Sequence, residues 1–167
     1  EIVRLCDLAH RFGAKVYVAM NTLLYEQELA DAERIACRMW NAGADALIVQ
    51  DMAFLRMELP PVELHASTQV CNTDPQRVRF LSEAGFTRVI LERALSLEEI
   101  GRLSRAADVE IETFVHGAIC VSYSGRCYMS RTMGPRSGNR GDCSQSCRLP
   151  YDLLDERMRP LERNRHL

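Results

Sequence analysis

Four cysteines lie close together in the C-terminal third of the chain. Cys120, Cys127, Cys143 and Cys147 are spaced C-x6-C-x15-C-x3-C. Four thiolates can bind zinc tetrahedrally or hold an iron–sulfur cluster. Zinc ribbons favour two close pairs; Cys143 and Cys147 make one, but Cys120 and Cys127 are too loosely spaced to make the other. A bulky cubane cluster tolerates dispersed ligands better, so spacing leaves both zinc and an iron–sulfur cluster open. Arg126, Arg131, Arg136, Arg140 and Arg148 are interleaved with these cysteines, and only Asp142 opposes them between residues 120 and 150. The planar guanidinium suits bidentate contact with phosphate or carboxylate.

A second set of polar residues follows short apolar runs: Asn21-Thr22, Gln50-Asp51, His65 to Gln69, Glu92-Arg93 and His116. Each run has the pattern of a buried strand: 16–20, 46–49, 63–66, 88–91 and 111–115. Helical periodicity fills the intervals. Residues 1–12 read as a helix stopped at Gly13, and 26–42 as a helix with Leu29, Ala32, Ile35, Ala36 and Met39 on one face and Gly43 at its end. A short helical turn is expected at 52–57. Asp74-Pro75 opens a helix over 75–84, and Ser96 with Glu99 forms a capping box for one running to about 106.

Buried-pattern strands separated by helices are the signature of parallel βα units. The expected fold class is therefore α/β, a parallel (β/α) TIM-like barrel present in part over residues 1–117. In such a barrel the strand C-termini share one face, where active sites are built. An open doubly wound sheet is the alternative, although no glycine-rich dinucleotide fingerprint follows any strand. Residues 118–150 are rich in Gly, Ser, Cys and Arg and lack periodicity, and are expected to be an irregular segment ordered by the cysteines. Residues 151–167 are read as the charged start of a truncated downstream region. A partial barrel has open sheet edges, so the fragment alone is expected to be marginal or to aggregate.

Composition removes several classes. The chain has 167 residues, 47% hydrophobic and 26% charged, with a net charge of −2; that balance suits a folded domain rather than a disordered one. No run of about 18 apolar residues suggests a membrane span. Residues 1–119 carry 12 basic and 18 acidic side chains and residues 120–167 carry 9 and 5, so the positive charge concentrates beside the cysteines. Lys15 is the one lysine in a total of 21 Lys and Arg. The odd cysteine count, seven, and the lack of a visible signal peptide argue against a disulfide framework and point to the cytoplasm. Cys6 and Cys37 are read as small apolar fillers. The start without Met suggests a piece of a longer protein.

Longer stretches carry a family resemblance. Glu112-Thr113-Phe114-Val115-His116-Gly117-Ala118-Ile119-Cys120, then Tyr123-Ser124-Gly125-Arg126-Cys127-Tyr128-Met129-Ser130, resemble the signature of the collagenase-like peptidase family U thirty-two. Arg136-Ser137-Gly138-Asn139-Arg140-Gly141 and Cys143-Ser144-Gln145-Ser146-Cys147-Arg148 continue it, and Leu64-His65-Ala66-Ser67-Thr68-Gln69 is similar too. The resemblance implies a TIM-like barrel with a further C-terminal domain. It implies collagen-degrading activity in some members and oxygen-independent hydroxylation in others, acting on tRNA, 23S rRNA or a ubiquinone precursor. Several such members hold a [4Fe-4S] cluster, and prephenate is the implied oxygen donor in the RNA branch. Two features depart from the family pattern. Where the family reads Ala-Arg-Glu-Leu-Ser, this chain reads Glu92-Arg93-Ala94-Leu95-Ser96, so the usual glutamate is Ala94. Some members also take a cluster ligand from a cysteine farther downstream. The fourth ligand is thus left open between Cys143, Cys147 and a cysteine beyond residue 167.

Three functions follow as expectations. The first is iron–sulfur-dependent hydroxylation of RNA, with Cys120, Cys127, Cys143 and Cys147 as ligands. His65, His116 and Glu92 are its candidate catalytic residues. Asn21, Ser67, Thr68, Gln69, Arg126, Arg136 and Arg140 are its candidates for binding RNA or prephenate; a protein partner is left open. The second is proteolysis, although no Gly-x-Ser-x-Gly or His-Glu-x-x-His occurs. The third is a zinc-stabilised RNA-binding module, against which stands the lack of an aromatic stacking platform.

Overall fold

Alternation along each strand decides how the chain is layered. A computed structural model describes residues 1–106 and 108–166; Ala107 and Leu167, the last residue of the expected downstream region, lie outside the described residues. The chain divides into two units, Glu1–Arg126 and Cys127–Leu167.

In the first unit, among the described residues, β1 (Tyr17–Met20), β2 (Ala46–Val49), β3 (Glu63–Ala66), β4 (Arg88–Ile90) and β5 (Glu110–Glu112) form a parallel sheet in sequential order. Four helices accompany them: α1 (Ile2–Arg11), α2 (Leu29–Asn41), α3 (Pro75–Glu83) and α4 (Leu97–Ser104). Successive side chains of a strand point to opposite faces. Val18, Leu47, Val49, Leu64, Ala66, Val89 and Ile111 therefore share one face, and pack with Ala32 and Ala36 of α2, Val78 and Leu81 of α3 and Leu103 of α4. The opposite face is polar. Arg88 donates to Glu110 and Glu112 and lies 5.1 Å above the Tyr17 ring. His65 meets the same ring edge-on at 4.6 Å.

The helix signals act as the sequence suggests. Asp74 caps α3 by accepting from Arg77 N–H, and Ser96 and Glu99 close a capping box on α4. Gly43 ends α2 at φ +95°, where a Cβ would stand 3.1 Å from Cβ of Cys6. The expected turn at 52–57 is a 3₁₀ turn over Met52–Leu55.

One strand differs from expectation. The run 111–115 was expected to be extended throughout, but β5 ends at Glu112 and leaves Phe114 55% and Val115 95% exposed. The ladder stops because its neighbour stops: Leu91 N–H bonds Glu112 O as the last rung. Beyond it, Glu92 turns its carboxylate onto its own backbone at Arg93 N–H.

In the second unit, α5 (Met129–Met133) and two 3₁₀ turns, Gly138–Arg140 and Ser146–Arg148, precede an antiparallel hairpin of β6 (Tyr151–Leu154) and β7 (Pro160–Arg165). The hairpin was not apparent in the sequence. Its turn uses Asp155, which accepts from the N–H groups of Arg157 and Arg159, and it places Met158 at φ +61°. Glycine is the residue that usually marks such a position, and none is present. Among the described residues no helix is long and apolar enough to cross a membrane.

Candidate functional site

The polar residues that follow β1 to β4 converge. Asn21 Nδ2 donates to Ser67 Oγ at 3.5 Å, and Gln50 Nε2 to Gln69 O at 3.3 Å. Ser67 Oγ accepts from Gln69 N–H, and Thr68 Oγ1 donates to Ser124 Oγ at 3.4 Å. Asn72, fully buried, ties β3 to β4 by donating to Ser67 O at 3.0 Å and Ile90 O at 2.8 Å. Glu92 accepts from Ser124 N–H at 2.9 Å and Ser124 Oγ at 3.1 Å, and its other oxygen accepts from Arg93 N–H. The candidates Asn21, Ser67, Thr68, Gln69 and Glu92 are thus brought into one network. Asn72, Ser124 and Gly125 complete it without having been singled out. Ser124 and Gly125 lie in a stretch quoted for its resemblance, but only the fold shows what they touch.

Burial pushes the Glu92 carboxyl up, while the Ser124 and Arg93 N–H bonds and the nearby Arg93 guanidinium more than offset this and hold it below its ordinary value. Next to the network is a cleft of about 490 Å³, lined by Cys71, Arg77, Glu92, Ala94, Tyr123 and Arg126 among others. Ala94 lines this cleft together with Glu92.

The two candidate histidines lie apart from the network. His65 is fully buried on the polar sheet face, where Nε2 meets Glu63 Oε2 at 3.4 Å and Nδ1 has no hydrogen-bond partner. Burial lowers its pKa against the raising effect of Glu63. His116 is exposed after β5, in a second cleft of about 370 Å³ with Arg93, Phe114 and Ile119.

Of the four clustered cysteines, Cys120 is exposed and belongs to the first unit; Cys127, Cys143 and Cys147 belong to the second. All four are free thiols. Cys143 Sγ accepts from Gln145 N–H at 3.4 Å and from Ser130 Oγ at 3.9 Å. Ser130 Oγ accepts in turn from Ser144, whose hydroxyl lies 2.7 Å from that of Ser146. Four free thiols are a donor set that fits a thiolate-held group in its chemistry. Within either unit, among the described residues, no three His, Cys, Asp or Glu side chains are gathered as a ligand shell. Of the candidate arginines, Arg136 is paired with Asp142 at 2.7 Å and donates to Cys143 O, and Arg140 lies in a 3₁₀ turn.

Comparison with known proteins gives a consistent result. The sequence model described as Peptidase family U32 matches residues 1–167. The chain is 48% identical over its whole length to the 23S rRNA 5-hydroxycytidine C2501 synthase of Escherichia coli, and covers 26% of that protein. It is 39% identical to tRNA hydroxylation protein P1 of Bacillus subtilis over 92% of the chain and 37% of that protein. The chain therefore spans between about a quarter and two fifths of these relatives. In structure it resembles the U32 peptidase Mk0906, with a TM-score of 0.55 and 18% identity, over 68% of this chain and 50% of that one. That likeness bears on the fold alone.

Proposed function

The chain belongs to peptidase family U32, and from that premise we propose that it is part of an oxygen-independent RNA hydroxylation factor whose substrate is a cytidine of 23S rRNA or a tRNA nucleotide. The observation that carries this is the 48% identity, along the entire chain, to a protein named for hydroxylating 23S rRNA. An RNA substrate also puts the protein in the cytoplasm.

In this reading the five-stranded sheet is part of a TIM-like barrel. Its polar face, with Tyr17, His65 and Arg88, is the barrel interior, and the Asn21–Ser67–Gln69–Glu92 network lies at the catalytic end. Cys120 and Cys127, with Cys143 or Cys147, would hold a [4Fe-4S] cluster. Such a cluster, when bound, supplies single electrons at a potential set by its surroundings. Asn21, Thr68 and Gln69 orient the substrate. Arg126, Arg136 and Arg140 contact RNA phosphates or the carboxylates of a donor such as prephenate. His116, exposed beside Arg93, is the group best placed to move a proton at this end. His65 is kept neutral by burial and shapes the interior.

Deleting the gene and measuring hydroxylated nucleosides in digested rRNA and tRNA by mass spectrometry tests the reading. The modification should vanish, return with the wild-type gene, and stay absent with Cys120→Ala or Cys127→Ala. Unchanged modification in the deletion strain, or full rescue by both variants, would refute it.

A further inference from the structure

Glu92 was a candidate for proton transfer, but its surroundings indicate another task. Both carboxylate oxygens are engaged: one accepts from the N–H and hydroxyl of Ser124, the other from Arg93 N–H. Glu92 is 6% and Ser124 3% exposed, whereas every residue from 114 to 121 is exposed. Burial of this segment therefore resumes at the Glu92 contact. The next residue, Gly125, lies so close to β3's end that a Cβ would stand 1.9 Å from Gln69 O, at φ +72°. Thr68 Oγ1 adds a hydrogen bond to Ser124 from the same side.

We propose that Glu92 is a positioning residue: its carboxylate fastens the 123–126 turn to the C-terminal ends of β3 and β4, and thereby sets where Cys120 and Arg126 stand. The turn approaches backbone against backbone, which leaves no room for an apolar anchor. One oxygen of the buried carboxylate accepts both the turn's N–H and its hydroxyl, and the other is satisfied by Arg93 N–H. The inference goes beyond the RNA reading and does not depend on it, because the fastening is a property of the first unit alone.

The test uses the full-length protein as purified, with two readouts that need no RNA. One is hydrogen exchange of peptides covering 119–126. The other is the rate of iodoacetamide alkylation at Cys120. Glu92→Ala should raise both by about tenfold, whereas Ser124→Ala, which keeps the backbone N–H bond to Glu92 and loses the hydroxyl's bonds to Glu92 and Thr68, should raise both by about threefold. Glu92→Gln should stay within about threefold of wild type, because its amide oxygen still accepts from Ser124. Exchange in β1 to β3 should not change. An unchanged turn in Glu92→Ala, a larger effect from Ser124→Ala than from Glu92→Ala, or a glutamine variant as loose as the alanine one would each overturn the proposal. Should Glu92→Ala fail to fold, Ser124→Ala and Glu92→Gln decide it.

Discussion

His65 illustrates how one buried side chain ties stability to pH. It lies fully buried between Tyr17 of β1 and Arg88 of β4, with Glu63 on its own strand and Glu112 of β5 also acting on it. Its pKa is lowered from an ordinary value of 6.5, chiefly by burial. The unfolded chain therefore takes up a proton before the folded one does, and stability falls as pH drops below that ordinary value. Denaturant midpoints at pH 7.5 and 5.5 should show wild type losing stability on acidification in this range, and His65→Leu losing less. Glu92 acts in the same direction in a lower window: its contribution is complete above its ordinary value and is lost as pH falls through the lowered one. Asn72 has a different role. Asn72→Ala removes the side-chain bond to Ile90 O and one of two bonds to Ser67 O, which keeps Val70 N–H, and should cost about 1–3 kcal/mol, measured by urea unfolding.

At the level of elements, local signals and tertiary packing make separable contributions. Asp74→Ala removes the α3 cap and should lower stability by about 1 kcal/mol in the same assay. Leu47, fully buried in the middle of the sheet, should cost about 2–5 kcal/mol as Leu47→Ala. β2 and β3 lie where the apolar runs predict them, because a buried run between turn residues leaves few alternatives. The end of β5 does not, because the extent of a strand depends on its partner's backbone. Phe114 and Val115 have strong strand propensity, but β4 offers them no rung. The β6–β7 hairpin was missed for the complementary reason: its turn is stabilised by Asp155 side-chain bonds rather than by glycine.

For the whole molecule, composition of the purified protein is the first discriminator. Anaerobically prepared full-length protein should contain about four iron and four acid-labile sulfide per chain, with broad absorbance near 400 nm. Cys120→Ala and Cys127→Ala should each lose both. Zinc in place of iron would favour the structural-module reading, and gelatin cleavage by metal-loaded protein would restore the peptidase one. The polar sheet face bears on the same scale. A charged layer of Arg88, Glu110 and Glu112 lies opposite the helix-packed face, so the sheet has one polar and one apolar side.

Much of this protein was legible in its residues. Hydrophobic period and turn chemistry are local, so the βα alternation, the capping box at Ser96 and the polar strand ends were all open to reading. The family signature, carried by contiguous stretches, was legible for the same reason. What the tertiary structure decided was partnership. Glu92 was visible as a charge after a strand, but its attachment to Ser124, 32 residues away, arises only when β4's end meets the 123–126 turn. His65 and Ser67 are two residues apart on one strand's exit, yet one is buried on the sheet face and the other joins the strand-end network. Sequence spacing specifies which side chains leave a strand together; the environment each one enters depends on neighbours brought from elsewhere in the chain.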